Sequence, residues 1–203
     1  MKTLLIIARI FSAVFRPAYY PTVGTLILLC FTYLSLFPWV FKLWVLSLVY
    51  VFTFCLPALS VRLYRRAHGW SAPDLRRHHR RAVPYIIYIC SYLCLMHILS
   101  LIHIPHFMTA IIGAALLIQS VCVVVNVWWK VSMHSAGSGG VIGALAAYAG
   151  IFGFNPVWWL AAAILVSGCV MTSRMLLRQH TLAQVLGGTV IGIVCGIAGT
   201  ILM

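Results

Sequence analysis

HFMTAIIGAALLIQSVCVVVNVW, residues 106 to 128, carries no charged side chain over a length that decides the fold. At 1.5 Å per residue such a helix covers the ~30 Å hydrocarbon core of a bilayer. Its apolar residues follow one another without the period-two alternation of a membrane barrel strand. Comparable runs at 21–37, 39–61, 84–103, 137–153, 156–172 and 181–202 bring the expected spans to seven. Composition agrees, with 64% hydrophobic residues, 7% charged residues and a mean hydropathy of +1.07. These values lie far outside the usage of soluble domains. The expected fold is all-α: a polytopic transmembrane helical bundle of six to seven spans plus an N-terminal interfacial helix, in a single domain over 1–203.

The opening stretch MKTLLIIARIFSAVFRP resembles a secretory leader, but Arg9 interrupts its apolar part and no small-residue cleavage site follows. Lys2, Arg9 and Arg16 recur every seven residues, so a helix over 1–17 carries a basic stripe opposite Leu4, Ile7, Phe11 and Val14. That pattern fits a helix lying on an anionic leaflet.

Fourteen Lys and Arg stand against one acid, Asp74. Transferases and phosphatases that hold Mg²⁺ or two metals need several hard oxygen anions, which this chain cannot assemble. Proton-coupled transport through intramembrane carboxylates is excluded in the same way. No metal or other cofactor is expected. The seven cysteines all fall inside apolar runs without a short CxxC pair, which argues for packing residues rather than a disulfide framework.

Pro-containing turns at 37–39, 103–106 and 153–156 mark one side of the bundle, so 62–83, 129–136 and 173–180 return to the other. The second face holds Lys2, Arg9, Arg16, Arg62, Arg65, Arg66, Arg76, Arg77, Arg80, Arg81, Lys130, Arg174 and Arg178, whereas the first holds only Lys42. The positive-inside rule makes the basic face cytoplasmic, in what is expected to be a bacterial inner membrane.

Three polar constellations lie on that basic face: RRHHRRAVPY at 76–85, KVSMHSAGSGG at 130–140 and SRMLLRQHTLAQ at 173–184. Arg77 and Arg81, Lys130 and His134, and Arg174 and Arg178 are each four apart, the spacing of neighbours on one helical face. Each constellation also contains a histidine. Convergent Arg, Lys and Ser suit a phosphate, each charge-assisted hydrogen bond contributing ~1.5–3 kcal/mol. Two histidines beside such a cradle supply a nucleophile and an acid. His97, His103 and His106 gather toward the opposite face, where an interfacial role is expected.

Ser173-Arg174, five residues, then His180 resembles the third signature of the type 2 phosphatidic acid phosphatase superfamily, which includes vanadium haloperoxidases. Val131-Ser132-Met133-His134 resembles a reduced form of the second, Pro-Ser-Gly-His, without its Pro and Gly. For the first, Lys, six residues, Arg-Pro, the counterpart is Arg81-Ala82-Val83-Pro84, with Asp74 where the Lys would stand. Arg9, six residues, then Arg16-Pro17 fits that spacing with Arg for Lys, but it precedes Ser132 by more than the family's usual separation. Arg81, assisted by Arg77, is therefore the expected residue. The resemblance covers roughly 76–190.

The resemblance implies phosphate-ester or pyrophosphate hydrolysis without metal, through a phosphohistidine. His180 would attack phosphorus, His134 would protonate the leaving oxygen, and Arg77, Arg81, Lys130, Ser132, Ser173 and Arg174 would hold the phosphoryl oxygens. The family's orienting Asp is here Gln184, whose carbonyl oxygen can still accept from Nδ1 but supplies no negative charge. The expected protein is a membrane lipid phosphatase. Its partners are the bilayer and a lipid phosphate or pyrophosphate, not nucleic acid. The alternatives are a catalytically impaired lipid-binding or scaffold protein on the same bundle, and an anion transporter.

Overall fold

A computed structural model describes residues 2–69 and 82–202. Helix is the only regular structure among them. Seven segments are long and apolar enough to cross a membrane: Thr3–Phe31, Trp39–Ala67, Val83–Leu101, His106–Trp128, Met133–Phe152, Val157–Leu176 and Leu182–Ile201. The chain is a polytopic helical membrane protein.

The N-terminal segment is broken twice. Helix α1, Lys2–Val14, ends where Arg16 turns extended (φ −75°, ψ 142°) before Pro17, which opens a single 3₁₀ turn over Pro17–Tyr19. A residue before proline is pushed out of the helical region, so the break is written in the dipeptide. Helix α2, Tyr20–Phe31, then runs for 12 residues, about 18 Å, less than the full core thickness. Thr32 stops it by donating to the Leu28 carbonyl at 2.7 Å and accepting from the Leu34 amide at 3.2 Å. The straight span expected over 21–37 is thus a shorter helix followed by a 3₁₀ turn, Tyr33–Leu36. Along α1, Ala8 and Ser12 are buried one turn apart on the face that meets α8, while Leu4, Ile7, Ile10 and Val14 are exposed.

Helices α3, Trp39–Tyr50, and α4, Leu56–Ala67, are joined through one widened turn, Val51–Cys55, in which the Leu56 amide reaches back to the Val51 carbonyl. Pro57 has no N–H to offer the carbonyl four residues earlier, which explains the local widening. Neighbouring helices take up the polar groups at this turn. Thr22 Oγ1 lies 3.2 Å from the buried Thr53 Oγ1, and Ser91 Oγ donates to the Phe52 carbonyl.

The remaining helices are α5 (Ala82–Leu101), α6 (His106–Trp128), α7 (Met133–Phe152), α8 (Val157–Leu176) and α9 (Leu182–Ile201). Their short connections make sequential neighbours antiparallel. The α6–α7 and α8–α9 links therefore share one face, and the turns at 102–105 and 153–156 the other. Gly153, at φ 64°, closes α7 in the left-handed conformation that glycine adopts without a Cβ clash.

The tightest contact is between α7 and α9. A Cβ on Gly192 would stand 2.0 Å from the Ala136 carbonyl oxygen, one on Gly143 2.2 Å from that of Ile193, and one on Gly139 2.3 Å from that of Thr189. Without a hydrophobic force between helices in lipid, close backbone approach through small residues supplies the van der Waals contact. It also fixes the register of the two helices, and so the relative placement of their N-termini.

Candidate active site

His180 sits just before the N-cap of α9. Thr181 caps the helix through a capping box with Gln184, whose Oε1 accepts from the Thr181 amide at 3.2 Å. The same Oε1 lies 3.2 Å from His180 Nδ1. Two donors on one atom fix the amide's orientation, because its NH₂ could accept from neither. The imidazole proton is thereby held on Nδ1 and the lone pair on Nε2. Gln184 reaches His180 because its side chain folds back over the first turn, not because the two share a helical face.

Beside it, α7 begins at Met133 rather than near 137. Ser132 is its N-cap, extended (φ −85°, ψ 106°) and fully buried, with Oγ accepting from the Ser135 amide at 3.4 Å and from Ser135 Oγ at 3.0 Å. The Ser132 amide donates to the Gln184 carbonyl at 3.3 Å, tying the two helix starts together. Because the chain is extended at Ser132, Lys130 does not share a helical face with His134, contrary to the spacing argument. Lys130 instead crosses to donate from Nζ to the Gln179 carbonyl at 2.8 Å, pinning the loop that leads to His180. His134, half-buried in the first turn, hydrogen-bonds the Ser12 backbone and lies within electrostatic reach of Arg174, His180 and Arg16.

From the other side, α8 delivers its C-terminal turn. Ser173 is buried and donates to the Cys169 carbonyl at 2.8 Å. Arg174 is half-buried and donates from Nη1 to Ser12 Oγ at 2.8 Å. The helix then ends in a Schellman arrangement, with the Gln179 amide on the Arg174 carbonyl (3.1 Å) and the Arg178 amide on that of Met175 (2.9 Å). Arg178 occupies the left-handed position at φ 51° and is exposed. The spacing of Arg174 and Arg178 on a common face fails here because the helix has already stopped.

Ser12 is the contact that sequence reasoning missed. One residue holds Arg174 by its hydroxyl and His134 by its backbone, from a helix read only as an interfacial anchor. Arg16, set aside for its distance along the chain from Ser132, is brought within electrostatic reach of His134. Arg77 and Arg81, like Asp74, lie outside the described residues.

The resulting site draws Lys130, Ser132 and His134 from the start of α7, Ser173 and Arg174 from the end of α8, and His180 and Gln184 from the start of α9. Two 20-residue helices direct the positive ends of their dipoles toward it, and Arg174, Arg16 and Lys130 add full charges. No Asp or Glu side chain exists among the described residues to offset them. The field favours a multiply charged anion. Among the described residues no group of three or more His, Cys, Asp or Glu is placed to hold a metal.

Neither a curated protein nor a solved structure matches the chain. Residues 106–203, which contain α6 to α9 and therefore His134, Arg174 and His180, match the model of the PAP2 superfamily, a match that supports the resemblance to the type 2 phosphatidic acid phosphatases and a phosphatase-type hydrolase activity.

Proposed function

We propose that the protein is an integral membrane lipid phosphatase that hydrolyses a lipid phosphate or pyrophosphate through a phosphohistidine intermediate, without a metal ion. The observation that carries this is the pairing of His180 Nδ1 with Gln184 Oε1, which holds the proton on Nδ1 and makes Nε2 the nucleophilic nitrogen, beside His134 and Arg174. In the first step Nε2 forms a bond to phosphorus as the bond to the lipid oxygen (or, in a pyrophosphate, the bridging oxygen) breaks. His134 gives that oxygen its proton. In the second step water, losing a proton to His134, attacks the phosphohistidine and releases inorganic phosphate, restoring both histidines.

Lys130, Ser132, Ser173 and Arg174 hold the phosphoryl oxygens as charge builds, and Arg77 and Arg81 are assigned the same role from the sequence alone. Ser173 joins this cradle by turning its hydroxyl from the Cys169 carbonyl, and Ser132 by donating its own hydroxyl proton while its oxygen still accepts from Ser135. Gln184 fixes the ring of His180 but adds no negative charge to the imidazolium-like state, so the cations carry the electrostatic work. The excess of Lys and Arg on this face supports a cytoplasmic site, in a bacterial inner membrane.

The test is release of inorganic phosphate from a lipid phosphate by the purified protein in EDTA, with acid-labile, alkali-stable radiolabel trapped on the chain from a labelled substrate. His180→Ala is expected to abolish both signals. Turnover unchanged in that variant overturns the mechanism.

A further inference from the structure

Inside the bundle beneath this site lies a cavity of 370 Å³, with walls from α2, α6, α7 and α8 and with Phe15 and Pro17 of the α1–α2 turn at its upper end. It follows α7 from Met133 to Tyr148, roughly 22 Å along the helix, most of the ~30 Å core. The space exists because the facing residues are small: Gly24 on α2, Ala114 and Ala115 on α6, Ala144 on α7, and Ala162 and Ala163 on α8. At the far end the rings of Phe31 and Trp159 meet edge to face, 5.1 Å apart. Polar residues in the wall bond within the protein. Ser138 Oγ lies 2.9 Å from Ser167 Oγ, and the hydroxyls of Tyr20 and Tyr148 donate to the Phe15 and Phe107 carbonyls. Gln119 of α6 adds one amide to the wall, and the rest of the surface facing the space is predominantly hydrocarbon.

Three of its walls lead to the polar cluster. On α7, Ser138 and Val141 stand one and two turns below His134 on the same face. On α8, Val166 lies two turns before Arg174, again on one face. In the N-terminal segment Phe15 and Pro17 flank Arg16. An anion bound at His134 and Arg174 would thus sit at the mouth of an apolar channel.

We propose that this cavity is the tail site of the enzyme: it takes one long hydrocarbon chain of a single-chain lipid phosphate or pyrophosphate, alkyl or isoprenoid, while the phosphate rests between His134, Arg174 and His180. This rests on the phosphatase reading above and adds the substrate class. A volume of 370 Å³ falls at the small end of ligand sites, sufficient for one chain and not for the paired chains of a diacyl lipid. The cations at its mouth select an anionic head over the zwitterionic lipids of the surrounding bilayer.

Two measurements on the full chain test it. The first compares hydrolysis of hexyl, decyl and hexadecyl phosphate by the wild type and by Ala163→Phe, which fills the middle of the cavity. In the wild type kcat/KM is expected to climb by up to about fourfold per methylene until the cavity is full. In Ala163→Phe the hexadecyl-to-hexyl ratio is expected to fall by about tenfold or more. Normalising to hexyl phosphate removes general losses of folded enzyme. The second measures quenching of tryptophan fluorescence by an alkyl phosphate brominated on its chain, with Trp159→Phe identifying the component from the cavity wall.

Quenching at Trp159 by the brominated phosphate, but not by brominated phosphatidylcholine, upholds the tail site even if no lipid phosphate is hydrolysed, an outcome in which the phosphatase reading alone fails. Hydrolysis with an unchanged chain-length ratio and no Trp159 quenching overturns the tail site and leaves the phosphatase reading standing. Equal quenching by brominated phosphatidylcholine also overturns it, since any bilayer chain would then fill the space. Farnesyl against dodecyl phosphate, matched in main-chain length, separates the isoprenoid source from the alkyl one.

Discussion

Ser12 and Arg174 stand 162 positions apart in the chain and 2.8 Å apart in the fold, where the guanidinium Nη1 donates to the serine hydroxyl. The same serine engages His134 through its backbone. An N-terminal helix that carries none of the phosphate chemistry thereby sets the position of a cation and the orientation of an acid.

Ser12→Ala removes the acceptor for Arg174 and spares the backbone contact with His134. Hydrogen bonds involving a charged group contribute about 1.5–3 kcal/mol, so kcat/KM is expected to fall at least about tenfold while the folded protein persists in detergent. Steady-state kinetics on a short-chain phosphate checks this. Ser12→Thr, which keeps the hydroxyl, is expected to recover most of the loss, and an Ala variant as active as wild type would show that Arg174 needs no such support.

Gln184 has two duties on one oxygen, capping α9 and holding the His180 tautomer. Gln184→Leu loses both: about 1 kcal/mol of helix stability from the cap, and a far larger share of kcat, up to ~10⁴ by analogy with a mis-set triad histidine. Gln184→Glu keeps the oxygen and adds charge, so it is expected to match or exceed wild-type kcat. A comparison of kcat and melting temperature across the pair separates tautomer from cap.

Gly143 and Gly192 let α7 and α9 meet backbone to backbone, with a Cβ at 2.2 and 2.0 Å from the opposing carbonyl oxygens. Alanine at either position must force the helices apart, at a cost of about 1–3 kcal/mol, and shift His134 from His180. Gly150 is the control, since a Cβ there meets nothing within 4 Å. Thermal unfolding in detergent should show Gly192→Ala and Gly143→Ala destabilised, and Gly150→Ala unchanged or stabilised by up to about 1 kcal/mol.

Arg178 holds a left-handed backbone (φ 51°) that a non-glycine side chain adopts at a cost of about 1–2 kcal/mol. Arg178→Gly is expected to raise the melting temperature and to leave kcat/KM within about twofold, because the side chain is exposed and follows the end of α8. A more stable but much slower variant would instead assign the guanidinium to the substrate.

The membrane bundle was legible in residues 106–128 and their counterparts because spanning length and apolar composition are local properties that any packing must respect. His180 and Gln184 were legible as a pair for a similar reason: four residues separate them, and a helix start brings them together whatever surrounds it. The spacing of Lys130 from His134 and of Arg174 from Arg178 misled, because four-residue spacing means a shared face only inside a helix, and Ser132 and Leu177 are its ends. Only the tertiary structure decided that Ser12 reaches His134 and that Arg16 and His180 come within electrostatic reach of it. It alone decided that a channel runs below them. Those outcomes depend on how α1 lies against α8 and how closely glycines let α7 approach α9, and long-range packing of that kind leaves no periodic trace in an apolar sequence.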